Sequence, residues 1–310
     1  MRVCYFIQNH LGPGQVDRLI RAIRRDSPDA LILVGHDPHA GHCTTDGMRA
    51  ALPDAEVFEV AGRPRRGYYS LLEPWFEAVE WLERHEREYD WLVYLSAQDY
   101  PTQPIRRFEQ MLADTPFDGF LRYWDASIAE SPWGRRKQGI YRYFFQYYDA
   151  PEPLHHLLPL ARRLNRFVRF MHTHLVFGPR VGFRVRSSPF KEGFVCYAGK
   201  QWTTLRRSCA IHALEESRRN EAVIRWFRRT VCPDEAVIQT LLVNAGRFNL
   251  QNDDLRYADF TGSRDGRPHT LTAADFPTIT DGSSWFARKF DPAVDAKILD
   301  MLDEWNASPE

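Results

Sequence analysis

Glu235 follows Pro233 and Asp234 and precedes an apolar run, Ala236-Val237-Ile238-Gln239-Thr240-Leu241-Leu242, with the pattern of a helix. A carboxylate held there can take a proton from an attacking hydroxyl, which is what a single-displacement group transfer needs. The same spelling has a plainer use, since acids at a helix start complement unsatisfied N–H groups and the positive end of the helix dipole. Asp234 competes with Glu235 for either role. Arg288 and Lys289 are adjacent, between Phe286 and Phe290. In a strand their side chains would leave on opposite faces, so the pair can meet one anion only from a turn or irregular segment. Arg would offer a two-pronged contact and Lys a point charge. The alternative is a solvated basic pair beside two core phenylalanines.

These groups need elements to hold them. Residues 3–7 and 30–34 are short aliphatic or β-branched runs, 56–60 is a third strand candidate, and 91–95 reads as another buried strand. Between them, 15–25 and 71–88 carry apolar residues at helical spacing. Strands alternating with helices predict an α/β fold, doubly wound, with a mainly parallel central sheet flanked by helices. Ligands of such sheets sit beyond the carboxyl ends of the strands, where this chain places His10, His36, Asp37, Gln98 and Asp99. The stretch 124–190 is aromatic and basic and is expected to hold a helix over 153–175. A last helix is expected over 292–305. Neither an internal repeat nor a linker is evident, so 1–310 reads as a single domain.

Four motifs in order give a more specific reading. They are Leu95-Ser96-Ala97-Gln98-Asp99-Tyr100-Pro101, Gly199-Lys200-Gln201-Trp202, Cys232-Pro233-Asp234-Glu235 and Phe286-Ala287-Arg288-Lys289-Phe290. Together they resemble the core-2/I-branching β-1,6-N-acetylglucosaminyltransferase and peptide O-xylosyltransferase family. Gly67-Tyr68-Tyr69-Ser70 resembles that family's W-G-x-x-S turn with Arg66 in place of the tryptophan, and His36-Asp37 its H-x-D, one residue shorter. The resemblance implies a GT-A-like fold and an inverting glycosyltransferase that moves N-acetylglucosamine or xylose from a UDP-sugar to an acceptor hydroxyl. Residues 1–123 would be the nucleotide-sugar half and 124–310 the acceptor-side, catalytic half. Glu235 would be the base, Arg288 and Lys289 would hold the diphosphate, and His10, His36, Asp37, Gly67 and Ser70 would lie near the nucleoside. Asp99 and Trp202 would meet the sugar or acceptor, by hydroxyl hydrogen bonds and by stacking. Each also has a structural reading: a turn residue before Tyr100-Pro101 for Asp99, and a core tryptophan for Trp202. Single histidines after strands are commonly satisfied structural groups.

Many nucleotide-sugar transferases hold Mg²⁺ or Mn²⁺ with Asp-x-Asp. No Asp-x-Asp occurs in this chain. The expectation is therefore that no cofactor or metal is required, the basic pair supplying the positive charge. His42-Cys43 and His155-His156 lack convergent spacing for zinc. A non-catalytic carbohydrate-binding protein on the same scaffold is the rival class. Forty-one basic residues balance 41 acidic ones, so net charge gives no hint of a nucleic-acid partner. Five scattered cysteines read as reduced thiols, and no run of about 18 apolar residues occurs, pointing to a cytoplasmic, bacterial-type member without an anchor. One segment, 160–171, is basic and amphipathic. It is either a helix with a solvated basic face covering the sheet, or a peripheral contact with the inner face of a membrane.

Overall fold

The computed structural model describes residues 1–308 except 131, 135, 186 and 264, together with all side chains in that set other than that of Arg166. Its centre is a seven-stranded sheet. Val3–Asn9 lies in the middle, paired in parallel with Leu31–His36 on one side and Trp91–Ser96 on the other, and Glu56–Glu59 continues the parallel set beyond Leu31–His36. Past Trp91–Ser96 the sheet takes one antiparallel strand, Thr204–Arg206, then Gly119–Phe120 and Leu250–Gln251. The expected α/β architecture with a mainly parallel sheet is present.

Near-continuous apolar strands are buried on both faces, as parallel strands covered by helices must be. Successive side chains alternate between the faces. Cys4 and Phe6 enter one core with Leu31, Leu33, Leu92 and Tyr94, under the helices Glu73–Arg84, Arg207–Arg219 and Val237–Ala245. Tyr5 and Ile7 enter the other with Ile32, Val34 and Val93, under Pro13–Asp26, Ile105–Asp114 and Lys297–Ala307. The final helix is shorter than the expected 292–305. Asp291 instead forms a turn, accepting from the Ala293 N–H.

The expected helix over 153–175 is broken into pieces. Glu152–Leu157 is a 3₁₀ turn, Leu158–Arg163 a short α-helix and Leu164–Arg166 another 3₁₀ turn. Met171–His174 is a strand, in a three-stranded antiparallel sheet with Arg180–Arg184 and Phe145–Asp149. Pairing with Arg180–Arg184 supplies backbone hydrogen bonds that a helix over 171–174 would forgo. A second small sheet, Arg256–Ala258, Phe286–Arg288 and Asp99–Pro101, lies at the carboxyl end of the central strands.

Candidate active site

The antiparallel pairing of Phe286–Arg288 with Asp99–Pro101 sets Arg288 directly opposite Asp99. Asp99 is fully buried. Its carboxylate accepts from the Ser96 N–H at 3.1 Å, the Ser96 hydroxyl at 2.7 Å and Arg288 Nε at 3.0 Å. The guanidinium of Arg288 lies 4.1 Å from the ring centroid of Trp202, a cation–π contact of about 0.5–2 kcal/mol. Trp202 in turn packs on Tyr94 at 4.9 Å. Asp99 Oδ1 thus holds Arg288 while Oδ2 is tied to the Ser96 N–H, and Trp202, 7% exposed, is a shelf beneath that guanidinium. The structure therefore gives these two residues positioning contacts with a cation. Lys289 follows the strand, half-buried, and its amine has no ion pair among the described residues.

At the neighbouring strand ends the three candidates separate. His36 is fully buried, with Nδ1 3.0 Å from the Asn9 amide and Nε2 2.9 Å from the Cys43 carbonyl, so both ring nitrogens are engaged within the fold. Asp37 caps the Pro38–Ala40 turn by accepting from the His39 N–H at 2.9 Å. His10 is exposed, and Asp37, His42, Arg288 and Arg267 are its charged neighbours. Asp37 and Arg288 thus act electrostatically on His10, while His36 is tied into the fold.

The acidic motif departs from the helix-start geometry that its spelling suggests. Pro233–Glu235 is a separate 3₁₀ turn, and the helix Val237–Ala245 begins only after Ala236, whose φ of −149° breaks the helical path. Cys232, just before the turn, has φ 52° and ψ 56°, the left-handed conformation that costs a non-glycine residue about 1–3 kcal/mol. Three hydrogen bonds hold it. Its N–H donates to the Gly67 carbonyl at 3.2 Å, while its carbonyl accepts from the Tyr143 hydroxyl at 2.9 Å and the Glu235 N–H at 3.1 Å. Gly67 is itself at φ 79°, and a Cβ there would lie 2.4 Å from a Phe177 side-chain carbon. Ser70 closes the same turn by accepting from the Arg65 N–H. The 67–70 turn therefore buttresses the acidic motif.

Glu235 is ion-paired with Arg142, whose guanidinium lies 4.0 Å from the Trp133 ring centroid. Burial opposes the charge on Arg142, but the Glu235 carboxylate holds the guanidinium above its ordinary pKa. Both residues open onto a cavity of about 860 Å³, whose walls include Trp133, Tyr141, Lys200 and Phe260. A carboxylate in this state accepts hydrogen bonds and donates none, as a base toward an incoming hydroxyl must. Asp234 is different. It is 5% exposed, one of its oxygens has no hydrogen-bond partner, and burial, followed by the charge of Glu235, pushes it up to about 7.

That contrast predicts a pH effect. A carboxyl whose pKa is higher folded than unfolded stabilises the fold at low pH and loses that contribution as pH rises. For Asp234 it is complete below about 3.8, the ordinary value, and gone above about 7. Asp234→Asn removes the dependence, so its melting temperature relative to the parent should climb between pH 4 and 7.5. A difference that stays flat across that range would show that Asp234 is not the titrating group.

Sequence reading missed Arg142 and Arg256. Arg142 lies 93 residues before Glu235 in an aromatic-basic stretch, with no local pattern to mark the pair. Arg256 is buried and donates to the carbonyls of Tyr94 at 3.1 Å and Asp254 at 2.8 Å, and Asp99 and Arg288 are among its charged neighbours. Asp99 thus lies among two arginines. Among the described residues, no group of three or more His, Cys, Asp or Glu side chains is arranged to hold a metal ion.

Residues 158–280 match the family described as Core-2/I-Branching enzyme. The chain is 21% identical over 263 residues to "Xylosyltransferase oxt" of Drosophila melanogaster, covering 78% of this chain and 26% of that protein. It is 22% identical over 330 aligned residues to "Xylosyltransferase" of Ciona intestinalis, covering 98% of this chain and 34% of that one. The chain thus spans about a quarter to a third of the length of these curated relatives. Among solved structures, a nucleoside-diphosphate-sugar pyrophosphorylase from Vibrio cholerae aligns with 80% of this chain and 90% of its own, at 10% identity and a TM-score of 0.36, too distant to argue from.

Proposed function

We propose that this chain, which belongs to the Core-2/I-Branching enzyme family, is an inverting glycosyltransferase that moves a sugar from a UDP-sugar to an acceptor hydroxyl. One observation carries the reading. The arginine corner and the helix that follows the acidic motif meet at the 200–202 turn: Arg288 lies on Trp202, Trp202 packs on the buried Tyr94 whose hydroxyl accepts from Gln201 at 2.8 Å, and Gln239 donates to the Lys200 carbonyl at 2.7 Å. Glu235, beside Asp234, faces the 860 Å³ cavity, while Arg288 lies at the carboxyl end of the central strands, opposite Asp99. A base and a cationic anion-holder near one another are what single displacement at an anomeric carbon requires.

The acceptor enters the cavity with its hydroxyl toward Glu235. The carboxylate takes the hydroxyl proton as the oxygen bonds to the anomeric carbon on the face opposite the nucleotide, and the bond to the diphosphate breaks with inversion. Arg288, held by Asp99 through Nε and lying over Trp202, meets the negative charge that develops on the departing diphosphate, with Lys289 as a second cation. Donor candidates are UDP-N-acetylglucosamine and UDP-xylose, the latter favoured by the names of the relatives.

In this reading two side-chain cations take the place of a metal ion at the diphosphate. The purified chain, assayed with each donor for UDP release and for transfer to hydroxyl acceptors, should keep its rate in excess EDTA. Activity that disappears with chelator and returns with Mn²⁺ would refute the metal-free site. UDP release from neither donor, by a folded protein that also fails to bind UDP, would refute the enzyme.

A further inference from the structure

The broken helix leaves an unusual surface. Leu154, Leu157, Leu160 and Leu164 are 46–61% exposed, Phe170 is 68% exposed, and Phe183 on the adjoining sheet and Val185 just past it are 43% and 38% exposed. The expected alternative, a helix laying its apolar side on the central sheet, would have buried the leucines. The charge around them is one-sided. Between residues 153 and 190 the chain has seven arginines and not one Asp or Glu, although the whole chain is neutral. Arg163, Arg169 and Arg184 are interspersed with the exposed apolar side chains, and none of the three has an ion pair among the described residues, while Arg162 also lines the cavity.

An apolar patch alone does not name its occupant, but this pattern does. Large side chains that seek an apolar phase, surrounded by cations without counter-charge, complement a surface whose interior is hydrocarbon and whose rim is anionic. We propose that the 154–185 face docks onto an anionic lipid bilayer, Leu160 and Phe170 entering the interface and the arginines meeting headgroup phosphates. No helix among the described residues is long and apolar enough to cross a membrane, so the contact is peripheral. The inward side of the same segment, through Asn165, His172 and Thr173, lines the cavity that holds Glu235. Docking would therefore bring a bilayer beside the cavity, independently of which reaction runs in it.

The test is sedimentation of the full chain with vesicles of phosphatidylcholine alone or mixed with phosphatidylglycerol, without any sugar donor. The chain should pellet with the mixed vesicles and stay in solution with the neutral ones. Leu160→Glu with Phe170→Glu, and separately Arg163→Gln with Arg169→Gln and Arg184→Gln, should each weaken binding roughly tenfold or more. These positions are exposed, so melting temperatures should stay at the parent value and distinguish lost docking from lost folding. No binding to mixed vesicles, or binding indifferent to both sets of changes, would overturn the proposal. So would a parent dimer that both sets convert to monomer, which would make the face a contact between copies of the chain. Because no donor is present, failure here leaves the sugar-transfer reading untouched, and failure of that reading leaves this one standing.

Discussion

Glu235→Gln should lower transfer by roughly 100-fold or more, the usual worth of general-base catalysis, while UDP binding stays within a factor of two or so of the parent. The amide keeps the size of the side chain and can still face Arg142, but it cannot take up the acceptor's proton at neutral pH. The loss should therefore appear in kcat more than in donor affinity, since the missing interaction belongs to the transition state. Arg142 complicates this, because the variant leaves a largely buried guanidinium without its counter-charge. Melting temperature must accompany the kinetics, and the double variant Glu235→Gln with Arg142→Met separates the effects. If the base reading holds, the second change restores stability and leaves transfer low. Restored transfer would mean that Glu235 only neutralises Arg142. Asp234→Asn in the same assay bears on the neighbouring candidate. Glu235→Gln with full activity and Asp234→Asn with none would exchange the two roles.

The second large effect concerns the diphosphate. Arg288→Ala should weaken UDP binding by about 1.5–3 kcal/mol, the worth of a hydrogen bond to a charged group, or roughly 10- to 150-fold. It should also lower the melting temperature, because Asp99 is fully buried and loses its ion pair. Adding Asp99→Asn removes the stranded charge, so the double variant should regain stability and stay weak toward UDP. Lys289→Ala should weaken UDP without the stability loss, its amine having no ion pair among the described residues. Isothermal titration with UDP, paired with thermal melts, reads both quantities. Recovery of UDP affinity in the double variant would show that Arg288 acts by restraining Asp99 and does not touch phosphate.

Much of the fold was legible because its signals are local. The buried parallel strands read as apolar runs, and the helix Pro13–Asp26 as an amphipathic segment after Gly12-Pro13-Gly14. The region after 150 was misread for the opposite reason. Met171–His174 has nothing that forbids a helix locally, and its strand state comes from pairing with Arg180–Arg184 beyond a turn. In the site, Glu235 and Arg288 could be picked out by type and spacing, yet their surroundings could not. Asp99 has the spelling of a ligand-facing residue, but the antiparallel register that sets Arg288 opposite it joins positions 189 residues apart. His36 follows a strand as a binding histidine would, and only the buried Asn9 amide and the Cys43 carbonyl reveal that its nitrogens are engaged.

That long register has a consequence for how the protein is made. The strand bearing Arg288 is fixed on one edge by Asp99–Pro101 and on the other by Arg256–Ala258. Tyr100 donates to Asp303, Asn306 donates to the Pro101 carbonyl, and Ile298, Leu299 and Leu302 seal the core below. A nascent chain could assemble the parallel strands up to Trp91–Ser96 and still lack its cationic corner, since closing a loop of this length comes late and is slow. Until Phe286–Arg288 has been made, Asp99 has no arginine from that strand to face. In the proposed reading, the capacity to grip an anion thus arrives only when this long-range register closes, and UDP binding would report that closure more sharply than secondary structure can.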